Sequence, residues 1–250
     1  TALPGTEKNP YEVRAVEQLQ FINWNVNQKK TTQRMDTWNK ANYPYLSYGG
    51  TGTMAIRSFF WEQTHDLKGR EGVTYTPIAE VYDQTSEQQG ILFGWFGGTY
   101  DGNDYLIADV NIRGQSQSSC VGLFGAVFNA TLKNIVMYSE NGTATVEGNN
   151  SGDSRWYAIG GLAGLAGSST GSSVVNCTVA GYTIKDTHQS TKAGGWGGTG
   201  LGGLIGVSDM SLSGCTAVTN IELNSKDNDN VRVGGLVGSC QGSINSCYSG

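Results

Sequence analysis

Proline fills only 4 of the 250 positions, histidine only 2, and Asp, Glu, Lys and Arg together make up just 15% of the chain. So little proline excludes both a collagen-like chain and a proline-rich disordered one. With 16 Lys and Arg against 21 Asp and Glu, the net charge is −5, which leaves no basic excess to hold a polyanion, and nucleic acid is not an expected partner. No apolar run approaches the roughly 18 residues that span a bilayer, and no basic-then-apolar leader opens the chain, so a soluble, mature segment without a membrane span is expected. Neither His65 nor His188 belongs to an HExxH pair, which excludes that metalloprotease chemistry, and neither metal nor cofactor is expected.

What the chain has in excess is glycine, 37 residues, about twice the usual share. Part of it is periodic. Gly122-Leu123-Phe124-Gly125, Gly161-Leu162-Ala163-Gly164, Gly203-Leu204-Ile205-Gly206 and Gly235-Leu236-Val237-Gly238 repeat one Gly-Leu-x-Gly tetrad at spacings of 39, 42 and 32 residues. A second signature follows each tetrad, an apolar pair three residues apart: Leu132 and Ile135, Val174 and Cys177, Leu212 and Cys215, Ile244 and Cys247. A straight strand puts residues two apart on one face, so two interior positions three apart need a bend between them. Asn134, Asn176 and Gly214 suit such a bend, and Ser246 suits it less well. The tetrads show the same offset, because Cys120, Ile159, Leu201 and Val233 each precede a tetrad leucine by three residues.

A third short strand is expected in each repeat, at 143–147, 182–186 and 221–224. Recurring apolar positions without helical period predict an all-β fold in which Leu123, Leu162, Leu204 and Leu236 form one interior ladder. The fold class expected is a right-handed parallel β-helix, a β-solenoid. The first part of the chain differs. Tyr11–Val13 reads as a strand, and Val16, Leu19, Ile22 and Trp24 recur at near-helical spacing, which predicts one short helix capping the stack. The expected organisation is one continuous unit: a cap at 1–57 that includes an irregular segment at 28–53, early coils at 58–115, and repeats at 116–250. Because residue 250 closes a motif that leads into another strand, the natural protein is expected to continue.

The catalytic signatures present are those that a chain rich in Gly and Ser generates by chance. Gly167-Ser168-Ser169-Thr170-Gly171 spells a nucleophile elbow but lies between two expected strands, and no helix follows the GxGxxG of 198–203. Asp227-Asn228-Asp229-Asn230 lacks the glycine and distal glutamate of a calcium loop and reads as a solvated turn. Asp101 and Asp104 invite comparison with clustered acids of carbohydrate-active enzymes, yet Asp101-Gly102-Asn103 also suits a tight bend, which is the favoured reading. Of the five cysteines, Cys120, Cys177, Cys215 and Cys247 fall on core positions, and Cys240 falls in a bend. No catalytic residue is assigned.

Residues 234–250, GGLVGSCQGSINSCYSG, together with Trp95 to Asn103 and Phe60 to Leu67, resemble bacterial surface proteins with GLUG repeats. The resemblance covers about residues 10–25 and 58–250, and residues 28–53 depart from it. It implies an extracellular or secreted β-helix of an adhesin-like bacterial surface protein, sometimes beside a metalloprotease domain in immunoglobulin-cleaving enzymes, and no catalytic residue carries over. The expected function is noncatalytic adhesion to a host or bacterial-surface glycan or an extracellular protein, by a monomer. A polysaccharide lyase or hydrolase and a purely structural stalk are the alternatives. If a ligand is bound, the expected contacts are Trp156, His188, Lys192 and Trp196, in or beside the segments where repeats differ most in length.

Overall fold

A computed structural model describes residues 5–27, 59–82, 96–116, 118–128, 130–149, 156–167, 172–188, 198–224 and 231–250. The fold is all-β, with one helix, Glu17–Asn27, among the described residues. The strands form four sheets, and all strand pairs are parallel except Val81–Tyr82 against Ser118–Val121. From residue 118 onward the chain crosses the sheets in one order and then begins again. Sheet I receives Ser118–Val121, Trp156–Gly160, Gly198–Gly202 and Val231–Gly234. Sheet II receives Phe124–Phe128, Ala163–Gly167, Ile205–Ser208 and Val237–Cys240. Sheet III takes Thr131–Lys133, Ser173–Val175, Ser211–Ser213 and Ile244–Asn245, and sheet IV closes each pass, in two limbs that Thr178–Asp186 and Thr216–Leu223 join into single long strands. Each pass therefore contributes four strands or more, where three were expected.

The apolar periodicity of the sequence is the register of these sheets. In sheet III one column runs Tyr11, Trp61, Tyr100, Leu132, Val174, Leu212, Ile244, seven rungs in direct register. Its inner members Tyr100, Leu132, Val174 and Leu212 are fully buried. Tyr11 belongs to the region expected as a cap and Trp61 to the early coils, so those coils follow the same register as the repeats. The tetrad leucines also stack: the Leu123 N–H donates to Gly161 O, Leu162 N–H to Leu204 O, and Leu204 N–H to Leu236 O. Leu123, Leu162 and Leu204 are buried in the core, and Leu236 packs against it. Burying such a side chain stabilises the stack by about 1.5 to 3 kcal/mol.

The tetrad corner is one residue shorter in the first repeat, and this corrects one alignment. Val121, not Cys120, pairs with Ile159, Ile159 pairs with Leu201 and Leu201 with Val233, while Cys120 pairs with Ala158. Cys120 and Ala158 thus point to the opposite face of sheet I, where with Ala126 they form a second small apolar cluster flanked by Phe128, Leu165 and Val207. There sheets I and II close on each other backbone to backbone. A Cβ added to Gly164 would lie 2.5 Å from Ala158 O and from Val121 N, and one added to Gly206 would lie 2.5 Å from Ile159 N. The last glycine of the tetrad is required by space.

The corner between sheets III and IV follows a different rule. Asn134, Asn176, Gly214 and Ser246 all hold positive φ, between 52 and 63°. Asparagine and glycine reach this left-handed region at low cost, which explains their place in the motif. The Asn176 amide donates to Asn134 Oδ1 at 3.5 Å, and the Asn134 amide donates to Asp101 Oδ1 at 3.0 Å, so the bends are tied along the stack.

The helix seats Leu19 and Ile22 in the core, and Val16, just before it, joins them there. Gln18 Oε1 accepts from the Arg14 and Ala15 N–H groups at its start, and Gln20 exchanges two hydrogen bonds with Thr76. On the outer face of sheet IV, Arg113, Glu147, Lys185 and Glu222 alternate in charge from rung to rung. Two of these steps are ion pairs, at 3.5 and 3.9 Å.

Candidate functional site

The longest connections between sheets in the repeats leave and return at one place. The chain leaves sheet IV after Gly148, after Asp186 and after Leu223, and it re-enters sheet I at Trp156, Gly198 and Val231, three strands in mutual register. Of the residues expected to bind, Lys192 and Trp196 lie outside the described residues. The backbone of Trp156 opens its strand, paired with Gly198.

His188 is not on the exposed edge where it was expected. It is wholly buried. The cause is alternation of period two: Tyr182, Ile184, Asp186 and His188 all face inward, so the strand pattern of Thr178–Asp186 carries two residues further than the sequence reading allowed. That alternation was the available signal, and the polar character of Asp186 and His188 masked it. Nδ1 of His188 lies 2.7 and 2.8 Å from the two Asp186 carboxylate oxygens, and the His188 N–H donates to the same side chain at 3.1 Å. The imidazole stacks on the Tyr157 ring, with centroids 4.2 Å apart and planes 21° from parallel.

Two buried polar atoms here make no hydrogen bond, His188 Nε2 and Thr199 Oγ1, and Thr199 sits one rung from Tyr157 in sheet I. With Asp186 accepting at Nδ1, the ring presents its other nitrogen to the interior. Thr187, one residue before, points the other way and donates to Glu147 Oε1 at 2.9 Å. The group locks the edge of sheet IV onto sheet I at the root of the longest excursion. It is sealed from solvent, so a dissolved substrate does not meet Nε2.

The other candidates take structural places. Asp101 accepts from the Asn103 N–H and the Asn134 amide, each at 3.0 Å, and pairs with Lys133 at 2.8 Å. Partial burial opposes ionisation of Asp101, yet the hydrogen bonds from Lys133, Asn134 and the Asn103 N–H hold its carboxyl below the usual range. It is a turn residue between Thr99–Asp101 and Leu106–Ala108, and Asp104 holds positive φ in the same bend. Gly198–Gly202 of the GxGxxG is a strand, with no phosphate-cradling turn. The elbow-like pentad begins at Gly167, the last residue of one strand, and the next described element is another strand, Ser173–Val175. Residues 227–230 lie outside the described residues. Among the described residues no three metal-binding side chains converge, and no helix is long and apolar enough to cross a membrane.

No family model matches the chain, and no curated protein matches it. Among solved structures it is similar to the crystal structure of a putative immunoglobulin A1 protease from Bacteroides ovatus. The two share 15% sequence identity over 98% of this chain and 76% of that chain, with a TM-score of 0.37. That likeness is too distant to carry an activity from one chain to the other.

Proposed function

We propose that the chain is a right-handed parallel β-helix serving as a noncatalytic ligand-binding module of a bacterial extracellular protein of the GLUG-repeat kind. The handedness rests on the near-universal right-handed sense of parallel crossovers. The observation that carries the function is the contrast between rungs held in register and the long excursions, the longest between sheets in the repeats, that leave the stack at the corner between sheets IV and I. Segments free to vary on a fixed frame are where recognition evolves. The ligand is a glycan or an extracellular protein, met along that corner by Trp156 and Trp196.

The test is to screen the intact domain against a glycan array and a panel of extracellular matrix proteins, with product release from polysaccharides assayed in parallel. Saturable binding that falls at least about tenfold in Trp156→Ala or Trp196→Ala, at matched folding, is the expected result. Turnover of any polysaccharide replaces this reading with the enzymatic one, and binding to nothing in either panel replaces it with that of a stalk.

A further inference from the structure

Cys177, Cys215 and Cys247 form a column. The residues that follow them, Thr178, Thr216 and Tyr248, pair in direct register, so the cysteines occupy successive rungs. Each thiol donates to the carbonyl two residues earlier, Val175 O at 3.3 Å, Ser213 O at 3.4 Å and Asn245 O at 3.2 Å. Three side chains with the same local hydrogen bond share one orientation, so their sulfurs repeat at the rung spacing of about 4.8 Å. The column ends above Cys177, where Ile135 takes the equivalent place. All three thiols are free.

That spacing is wrong for a disulfide, which needs Cβ atoms about 3.8 Å apart and sulfurs about 2.05 Å apart. It is right for a different bond. A thiolate lies about 2.3 Å from a borderline-soft ion such as zinc, so an ion midway between two sulfurs in a line spans about 4.6 Å. Zinc itself takes four ligands, and no such set converges among the described residues. Two thiolates in line suit a soft, monovalent d10 ion.

We propose that Cys215 and Cys247 are a two-coordinate site for a soft metal ion of the copper(I) class. Cys247 is only half-buried and gives the ion its way in, while Cys215 is enclosed. On binding, two S–H bonds break, two S–metal bonds form and two protons leave to solvent, with no change of oxidation state. The Cys215 N–H already donates to Cys247 Sγ at 3.3 Å, a contact that favours charge on that sulfur.

The experiment titrates the full chain, in a Cys240→Ser background, with silver(I) as a redox-inert probe and with copper(I) under anaerobic reductant, against a chromophoric chelator. One ion per chain, about two protons released and two sulfur neighbours at about 2.3 Å by X-ray absorption are expected. Loss of an outer-shell partner costs metal sites about 10- to 100-fold, so Cys247→Ser, at a half-buried position that leaves the core intact, should weaken uptake by more than about 100-fold. Cys177→Ser, which removes neither ligand, should weaken it by less than about 10-fold. Unchanged uptake in a folded Cys247→Ser variant overturns the site, as does uptake lost in Cys177→Ser alone, or a disulfide formed between Cys215 and Cys247 in air.

Discussion

The two kinds of corner in this molecule use glycine for opposite reasons. Where sheet I turns into sheet II, Gly164 and Gly206 have unremarkable φ, and what they lack is room: backbone atoms of neighbouring strands stand within 3 Å of where a Cβ would be. Where sheet III turns into sheet IV, Gly214 has φ of +63°, and Asn134, Asn176 and Ser246 hold nearly the same angle. The first corner rejects any side chain, whereas the second rejects only those that dislike the left-handed region. A glycine in a repeat motif thus marks either a steric or a conformational constraint, and only its substitutes in sister repeats tell which.

That contrast can be tested by substitution, against the interior ladder as a reference. Leu204→Ala should cost about 2 to 5 kcal/mol in equilibrium unfolding, since it opens a cavity between rungs held apart by their neighbours. Gly206→Ala should cost about 3 kcal/mol, at the upper end for overpacking, because the obstacles are backbone that cannot step aside, and Gly206→Asn should be no better. Gly214→Ala should cost about 1 to 2 kcal/mol, and here Gly214→Asn should recover much of the loss once the Asn176 side chain swings away. If asparagine rescues both glycines or neither, the distinction between the corners fails. Ser246→Asn should raise the melting temperature slightly, by an amount equivalent to less than about 1 kcal/mol, since it places a better left-handed residue at an otherwise unchanged bend.

A smaller effect belongs to pH. Asp101 has a folded pKa below its unfolded one, so its pairing with Lys133 and Asn134 contributes stability that is full above the unfolded value, about 3.9, and is lost as pH falls below it. The pair is partly solvated through Lys133, so Asp101→Asn should flatten the acid limb of a stability-versus-pH curve only slightly. A flattening above pH 6 would assign the effect to another group.

Much of this fold was legible because a stacked architecture writes the same side-chain requirement once per pass. Leu132, Val174, Leu212 and Ile244 recur for that reason, and so do the tetrad leucines. Three things were not legible. Val121-Gly122-Leu123 has one linking residue where Ile159-Gly160-Gly161-Leu162 has two, and counting back from the leucine therefore placed Cys120 on the wrong face. The apolar periodicity shows which strands face inward but not that two of them fuse, as in Thr178–Asp186, where a glycine bulge lets one strand pair with two shorter ones. His188 was read as a surface residue because a buried imidazole needs a partner, and that partner, Asp186, looks like an ordinary strand end in one dimension.

The alternating charges of Arg113, Glu147, Lys185 and Glu222 bear on how such a molecule can lengthen or shorten. Delete one pass and Arg113 faces Lys185, or Glu147 faces Glu222, like against like. Delete two and opposite signs meet again. Duplication or loss of genetic material therefore meets less electrostatic resistance when it comes in pairs of repeats, a parity rule carried by the outer surface while the apolar interior accepts any whole number.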